Sequence, residues 1–257
     1  ESIRRTGLAL KGPLTTPVDS PMRSVNVRLR ETFKLYANLR PAQTLIPGGR
    51  FDDIDLVLVR ENLEGFYVGY EHYVPIGDDP RAVAQGTGIN TREGCRRIAE
   101  WAFDYAVRHG KKVTIIHKAN ILKKLTGLFL ETAYEVGERY RDRLIIEDRI
   151  VDNCAMQLVL NPWQFDVLLT TNLFGDILSD EIAGLIGGLG MAPGGNIGAH
   201  AAIFEAVHGS APDIARAQQL RQALRDTLNI DHVRTGDLGG SASTVDYTAA
   251  LVRRLNA

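Results

Sequence analysis

Two acidic residues in the second half of the sequence have the spacing of a shared ligand site. Asp176 and Asp180 lie four residues apart in the segment 170–180, after an apolar run typical of a buried strand. If a helix begins near Gly175, both carboxylates lie on one face of it and could share a cation. Oxygen ligands alone favour Mg²⁺ or Mn²⁺ over zinc. Alternatively, Asp176 favours the helix N-terminus electrostatically and Asp180 is merely solvated.

Three arginines are candidates for holding carboxylates. Arg30, Arg40 and Arg60 lie in three separate segments of the first quarter of the chain. A guanidinium group matches two carboxylate oxygens, so three converging arginines would suit a di- or tricarboxylic acid. The alternative is that each arginine lies at the surface or pairs with a neighbouring Asp or Glu.

A lysine and a small-residue turn also follow strand-like runs. Lys118 comes just after the run 113–116, and the carboxyl ends of strands are favoured places for catalytic residues in α/β sheets. A desolvated lysine near cations can act as a base, although a solvated surface lysine fits equally well. The segment 204–214 is typical of a strand entering a turn that could wrap an adenosine. No G-x-G-x-x-G fingerprint follows a strand, which disfavours a Rossmann nucleotide site.

The elements that must position these residues alternate between strand-like and helix-like runs. This alternation predicts an α/β fold in which crossover helices cover a largely parallel sheet. A capping box of Asn90 and Glu93 predicts a helix that ends at Gly110. The other predicted elements are strands at 8–10, 113–116, 144–146 and 165–169 and a helix at about 123–139.

Two stretches interrupt this rhythm. Residues 69–90 are polar, aromatic and punctuated by Gly and Pro, which predicts a surface excursion or an arm that packs on a partner. Residues 187–198 are rich in glycine and predict a connector whose backbone can approach a ligand closely.

The bulk composition narrows the possible partners. With 30 Lys+Arg against 31 Asp+Glu in 257 residues, nothing favours nucleic acid or an anionic membrane, so a small molecule is the expected partner. No apolar run reaches the roughly 18 residues of a spanning helix. Cys95 and Cys154 form no Cys-x-x-Cys pair and suit a reducing cytoplasm.

Seven motifs in one order carry a family resemblance. They are Leu14-Thr-Thr-Pro, Arg23-Ser-Val-Asn, Leu39-Arg-Pro, Val59-Arg-Glu-Asn-x-Glu-Gly-x-Tyr, His117-Lys-Ala-Asn, Asn172-x-Phe-Gly-Asp-Ile-Leu-Ser-Asp and His208-Gly-Ser-Ala-Pro. Together they resemble the isocitrate/isopropylmalate dehydrogenase family. The resemblance implies a two-domain α/β/α sandwich that is not a Rossmann fold. Its large, cofactor-side domain would comprise 1–35 and 187–257, and its small domain 36–186.

The resemblance implies the chemistry as well. Hydride transfer from a 2-hydroxyl to a nicotinamide is followed by loss of the β-carboxylate and reprotonation of the enolate. Lys118 would take the hydroxyl proton and Tyr67 would protonate the enolate. Asp152, Asp176 and Asp180 would hold Mg²⁺ or Mn²⁺.

Substrate and coenzyme preferences follow from particular positions. The resemblance implies that isopropylmalate enzymes have apolar residues at the positions of Ser24 and Asn26. A hydrophobic pocket cannot satisfy a buried carboxylate, so the polar pair Ser24 and Asn26 favours isocitrate, with isopropylmalate, homoisocitrate and tartrate as weaker alternatives. The three arginines would bind the other carboxylates of the substrate. Asp213 and Ile214 favour NAD, because a carboxylate facing a 2′-phosphate costs about 4 kcal/mol before screening. The cofactor-binding positions implied by the resemblance are Thr16, Asn120, His208, Gly209, Ser210, Ala211, Asp213 and Ile214.

The resemblance further implies a homodimer with a shared active site. The second subunit would supply Lys118 and Asp152, and residues 69–90 would be the arm by which the subunits clasp. The chain departs from the family in two places. A strand and glycine loop before Glu1 are missing, as is a cofactor-contacting segment after Ala215. A non-catalytic regulatory subunit, or a shortened and inactive form, therefore remains an alternative to a catalytic enzyme.

Overall fold

The computed structural model describes residues 1–12, 14, 25–44, 50–188, 192–206, 217–234 and 240–255. Its strands are β1 (Leu8–Lys11), β2 (Ala37–Gln43), β3 (Asp55–Glu61), β4 (Gly65–Ile76), β5 (Asp79–Ile89), β6 (Val113–His117), β7 (Ile146–Ile150), β8 (Val167–Thr170), β9 (Pro193–Ile197) and β10 (Ala202–Ala206). Its helices are α1 (Ser2–Thr6), α2 (Val25–Phe33), α3 (Arg92–His109), α4 (Leu125–Gly137), α5 (Val151–Leu160), α6 (Asn172–Leu185), α7 (Ala217–Asn229) and α8 (Thr244–Leu255).

One eight-stranded sheet carries most of the described chain, in the order β1-β10-β9-β2-β3-β8-β6-β7. Strands β3, β8, β6 and β7 are mutually parallel, as is the pair β1 and β10. The prediction of a largely parallel sheet was wrong at its centre. There β9 runs antiparallel to both β10 and β2, and β2 runs antiparallel to β3, so the sheet is mixed.

Helices cover both faces of this sheet because side chains alternate along each buried strand. On β3, Val57 and Val59 pack in one apolar cluster with α3 and α4, whereas Leu56 and Leu58 pack in a second cluster with α5 and α6. The predicted α/β/α layering is thereby confirmed. The sheet runs without a break through both predicted domains, and the boundary between them stays a prediction.

Several predicted boundaries shift by a few residues. Helix α3 is capped by Thr91 rather than Asn90, because the Thr91 hydroxyl accepts the N–H of Gly94 at 2.9 Å. Helix α6 begins at Asn172, three residues before the predicted start, and this keeps Asp176 and Asp180 one turn apart on the same helix.

The two stretches that interrupt the predicted alternation, 69–90 and 187–198, differ in structure. Residues 65–89 form the β4–β5 hairpin, a separate two-stranded sheet whose side chains are mostly exposed. The predicted glycine-rich connector is wrong for 193–197, which form the inner strand β9. Gly195 lets β9 pass close to the Phe204 ring, since a Cβ atom there would lie 3.3 Å from it. Within the described ranges, no helix has both the length and the apolarity to cross a membrane.

Candidate active site

A buried arginine and a helix form the centre of the site. Arg60, at the end of β3, has only 1% of its side chain exposed. Its guanidinium donates to Asn172 Oδ1, at 3.0 Å from Nε and 2.7 Å from Nη2, and its Nη1 donates to Asp176. The close approach of α6 to the Arg60 side chain requires Gly175, since a Cβ atom there would lie 2.6 Å from Arg60 Cγ. The helix therefore packs directly onto the arginine stem.

Tyr67 is brought to the same carboxylate. Its hydroxyl donates to Asp176, and its ring lies 5.2 Å from the guanidinium carbon of Arg60. Burial, followed by the hydrogen bond to Asp176, raises the pKa of Tyr67. The phenol therefore keeps its proton at neutral pH, as a proton donor must.

Arg40 reaches the cluster from β2. Its Nε donates to Asn38 Oδ1 at 2.7 Å and its Nη1 donates to Ser179, and the guanidinium lies 3.6 to 3.8 Å from Asp180 and Asp176. Burial and the charge of Arg60 lower the pKa of Arg40 to about 10. A site that holds so much positive charge favours anionic ligands.

Arg30 lies near the other two arginines in a second polar contact region. Burial, followed by the charge of Arg60, lowers the pKa of Arg30. Arg30 lies 3.6 Å from Glu205, and with Asn26 and Lys11 it lines a small cavity. Among the described residues, neither Arg30 Nε nor the buried Asn26 Oδ1 has a hydrogen-bond partner. These two atoms are free to bind a polar ligand.

The carboxylates of α6 have the chemistry of a divalent cation site. Burial acts to raise the pKa of Asp176, but Arg60, Tyr67 and Arg40 lower it overall. The pKa of Asp180 is raised, first by burial and also by Asp176, and its side chain is 59% exposed. Two hard oxygen donors one turn apart, the second open to solvent, fit Mg²⁺ or Mn²⁺. Across the described ranges, no group of three acidic, His or Cys side chains could hold a metal by itself.

Lys118 and Asp152 form a second, separate group. Lys118 Nζ lies 2.5 Å from Asp152 Oδ1, and Asp152 is in the first turn of α5. The hydrogen bond from Lys118 is the main cause of the lowered pKa of Asp152. In the described part of the chain, no ion pair or hydrogen bond joins this pair to the arginine cluster. One chain thus presents two groups of candidate residues.

The cofactor candidates are only partly visible. Thr16 and the segment 208–214 lie outside the described residues, as does the substrate candidate Ser24, whereas Asn120 is exposed just after β6. Strands β1 and β10 are parallel neighbours, with Lys11 opposite Glu205. The described ends of β1 and β10 therefore lie side by side at one edge of the sheet, the usual ligand edge of an α/β sheet.

Sequence reasoning missed a buried polar network beside the site. Glu205 pairs with Lys11 at 2.6 Å and accepts from Asn196 Nδ2 at 2.7 Å, while Asn196 Oδ1 accepts from Asn38 and Asn62 at 2.9 and 3.0 Å. Asn38 and Asn62 lie beside or within the seven motifs, where polar residues in strand-like runs were an available signal, whereas Asn196 lies in the glycine-rich stretch 187–198, which gave none. The network joins the arginine cluster to the strand that precedes the cofactor candidates.

Buried arginines, paired carboxylates and a mixed sheet covered on both faces define an α/β protein whose site has the chemistry to hold an anion and a divalent cation. The sequence profile of the isocitrate/isopropylmalate dehydrogenase family matches residues 1–220. The chain belongs to this family.

Individual relatives agree with the family assignment. The mitochondrial NAD isocitrate dehydrogenase catalytic subunit 5 of Arabidopsis thaliana is 45% identical, over 99% of this chain and 74% of its own. A regulatory subunit of the mitochondrial NAD isocitrate dehydrogenase of Dictyostelium discoideum is also 45% identical, over 99% and 78%. The crystal structure of isocitrate dehydrogenase from Methylococcus capsulatus superposes with a TM-score of 0.83 at 46% identity, covering 100% of this chain and 84% of that one.

Proposed function

We propose that this chain is a catalytic NAD-dependent isocitrate dehydrogenase, which oxidises isocitrate to 2-oxoglutarate and CO₂ with Mg²⁺ or Mn²⁺. The convergence of Arg40 and Arg60 on the Asp176 carboxylate, next to Tyr67, carries this proposal. NAD isocitrate dehydrogenase subunits among the relatives support it.

Substrate recognition is assigned to the arginine cluster. Arg30, Arg40 and Arg60 offer donors to the carboxylates of a tricarboxylic acid. Asn26 and Ser24 would bind the carboxylate that distinguishes isocitrate from isopropylmalate. Buried guanidinium groups gain most from an anionic partner, because their charge is poorly solvated without one. The domains 1–35 with 187–257 and 36–186 would form the two sides of the cleft.

Two side chains move protons in this proposal. Lys118 would take the proton of the substrate hydroxyl, and Tyr67 would give a proton to the enolate after CO₂ departs; bound NAD would supply the hydride acceptor. Asp176 keeps the Tyr67 hydroxyl in place, and Asp180 and Asp152 would join it in holding the divalent ion. When bound, that ion supplies Lewis-acid polarisation of substrate oxygens.

NAD is the proposed coenzyme. Asp213 would accept hydrogen bonds from the ribose hydroxyls and repel a 2′-phosphate. Thr16, Asn120 and the loop 208–214 would complete the coenzyme site. A higher kcat/KM with NADP than with NAD would contradict this assignment.

The assembly and location are further parts of the proposal. We assign the chain to a homodimer in which the β4–β5 hairpin clasps the partner, and to the cytoplasm. The relatives from Arabidopsis and Dictyostelium are named as mitochondrial catalytic and regulatory subunits, so a heteromeric assembly is the competing arrangement.

A non-catalytic regulatory subunit is the second candidate function, because the regulatory relative is as similar as the catalytic one. The combination of Tyr67, Lys118 and three candidate metal-binding aspartates favours catalysis. An NADH-absorbance assay with isocitrate, isopropylmalate and homoisocitrate, each with and without Mg²⁺, distinguishes the two. We expect Mg²⁺-dependent turnover of isocitrate alone; no turnover with any substrate would favour the regulatory role.

A further inference from the structure

The loop that carries Lys118 is held by side chains of neighbouring elements. His117, the last residue of β6, is 6% exposed, and its Nδ1 accepts the backbone N–H of Ala119 at 3.0 Å. The backbone N–H of Lys118 donates to Thr126 Oγ1 at 3.1 Å. Two successive amide groups therefore have fixed partners, although the lysine side chain itself is flexible.

The hydrogen bonds of His117 fix its tautomer. A backbone N–H can only donate, so Nδ1 must carry no proton while it accepts from Ala119. The neutral ring then carries its proton on Nε2, which lies 3.0 Å from Asp148 Oδ2. The other oxygen of Asp148 accepts from the Tyr134 hydroxyl at 2.6 Å. Helix α4, strand β7 and the loop are thereby joined in one chain of hydrogen bonds.

We propose that His117, oriented by Asp148 and Tyr134, is a positioning residue that sets the place of Lys118 in the reaction. His117 accepts from the loop backbone and donates to Asp148, so in this proposal it acts only through the position of Lys118. Lys118 Nζ must meet a carboxylate 2.5 Å away and also a substrate hydroxyl, so a small shift of its backbone would misplace the base. This inference rests on the proposed role of Lys118 as the base.

Two substitutions separate the two hydrogen bonds of the ring. In His117→Asn, the amide oxygen stands where Nδ1 was and can still accept from Ala119. In His117→Gln, the amide nitrogen reaches towards Asp148 but nothing accepts from Ala119. We expect His117→Asn to keep kcat within about threefold of wild type and His117→Gln to lower it ~10-fold or more. The KM for isocitrate stays unchanged in both, because the arginine cluster binds the carboxylates. His109→Gln, on the exposed end of α3, is the matched control.

Two measurements test the positioning without turnover. In ¹⁵N-histidine-labelled full-length protein, long-range ¹⁵N–¹H spectra should show the proton of His117 on Nε2, with the signal assigned by its loss in His117→Asn. Hydrogen exchange of the Ala119 amide should stay slow in His117→Asn and become fast in His117→Gln.

Failure of the positioning role can be distinguished from failure of the proposed function. A proton on Nδ1 of His117, unchanged Ala119 exchange in His117→Gln, or wild-type kcat in that variant would overturn the positioning role. If wild type does not oxidise isocitrate, the proposed function fails, while the spectrum and the exchange rates still decide whether His117 holds the loop.

Discussion

The two groups of candidate residues differ in how they are built. The arginine cluster is buried, and Arg60 is fixed by Asn172, Asp176 and the glycine that lets α6 approach. The pair of Lys118 and Asp152 is more open to solvent, at 26% and 68% exposure. The buried group carries excess positive charge suited to an anion, and the open group offers a base. The arginine cluster lacks a base and the Lys118–Asp152 pair lacks the excess positive charge that would hold an anion, so a complete site needs both.

Loss of the base should have the largest effect. Lys118→Met removes the proton acceptor while leaving the arginine cluster intact, so kcat for isocitrate should fall about 10²- to 10⁴-fold with the dimer preserved. The nearby exposed Lys123→Met is the control and should keep kcat. Steady-state NADH formation and size-exclusion chromatography check the prediction; substantial turnover by Lys118→Met would refute the base assignment.

The tight packing of the buried group predicts a second large effect. In Gly175→Ala, the new methyl group would overlap Arg60 and Thr170, and the free energy of unfolding should fall by about 3 kcal/mol. Gly184→Ala, in the same helix, meets no atom within 4 Å and should stabilise the protein by about 0.5–1 kcal/mol. Urea unfolding of both variants is the test. Equal stabilities would mean that α6 does not pack on Arg60 as described.

A buried carboxyl at the end of the strand that carries Arg60 should also make stability depend on pH. Burial raises the pKa of Glu61, next to Arg60, from 4.5 to about 7. A carboxyl whose pKa rises on folding stabilises the fold fully below its unfolded pKa and loses that contribution as pH rises through the folded value. Stability should therefore fall by about 2–3 kcal/mol between pH 4.5 and 8 in wild type, relative to Glu61→Gln. Parallel curves of unfolding free energy against pH for wild type and Glu61→Gln would contradict the burial of the Glu61 carboxyl.

The open group should matter least for stability. Asp152→Asn removes one partner of a largely exposed pair, and such pairs contribute little to stability because solvent screens them. We expect Tm to change little even though isocitrate turnover is lost. Thermal unfolding measured beside the activity assay separates these effects, and a large drop in Tm would show that the pair supports the fold.

Much of the site could be predicted from the sequence because its residues fall in compact motifs. One predicted helix was enough to place Asp176 and Asp180 on the same face, and the end of one predicted strand was enough to place Lys118. The convergence of Arg30, Arg40 and Arg60 could not be derived from spacing, because it depends on the order of strands in the sheet.

The central strand β9 escaped prediction for a different reason. Its sequence Pro-Gly-Gly-Asn-Ile has no strand propensity, and its conformation is set by pairing with β2 and β10. Its Asn196 consequently went unnoticed, although it links Asn38 to Glu205 at the centre of the buried network. Tertiary pairing, rather than local preference, decides the structure at this position.

Complementation between two inactive variants tests most directly whether the two groups meet across a dimer. Tyr67→Phe and Lys118→Met, co-expressed with different tags and purified as a hybrid, leave one complete site if each site combines Tyr67 of one subunit with Lys118 of the other. The hybrid should then recover about half of wild-type activity, while each variant alone stays inactive. A hybrid as inactive as its parents would show that the two groups do not combine across subunits, and the account of a shared site would be wrong.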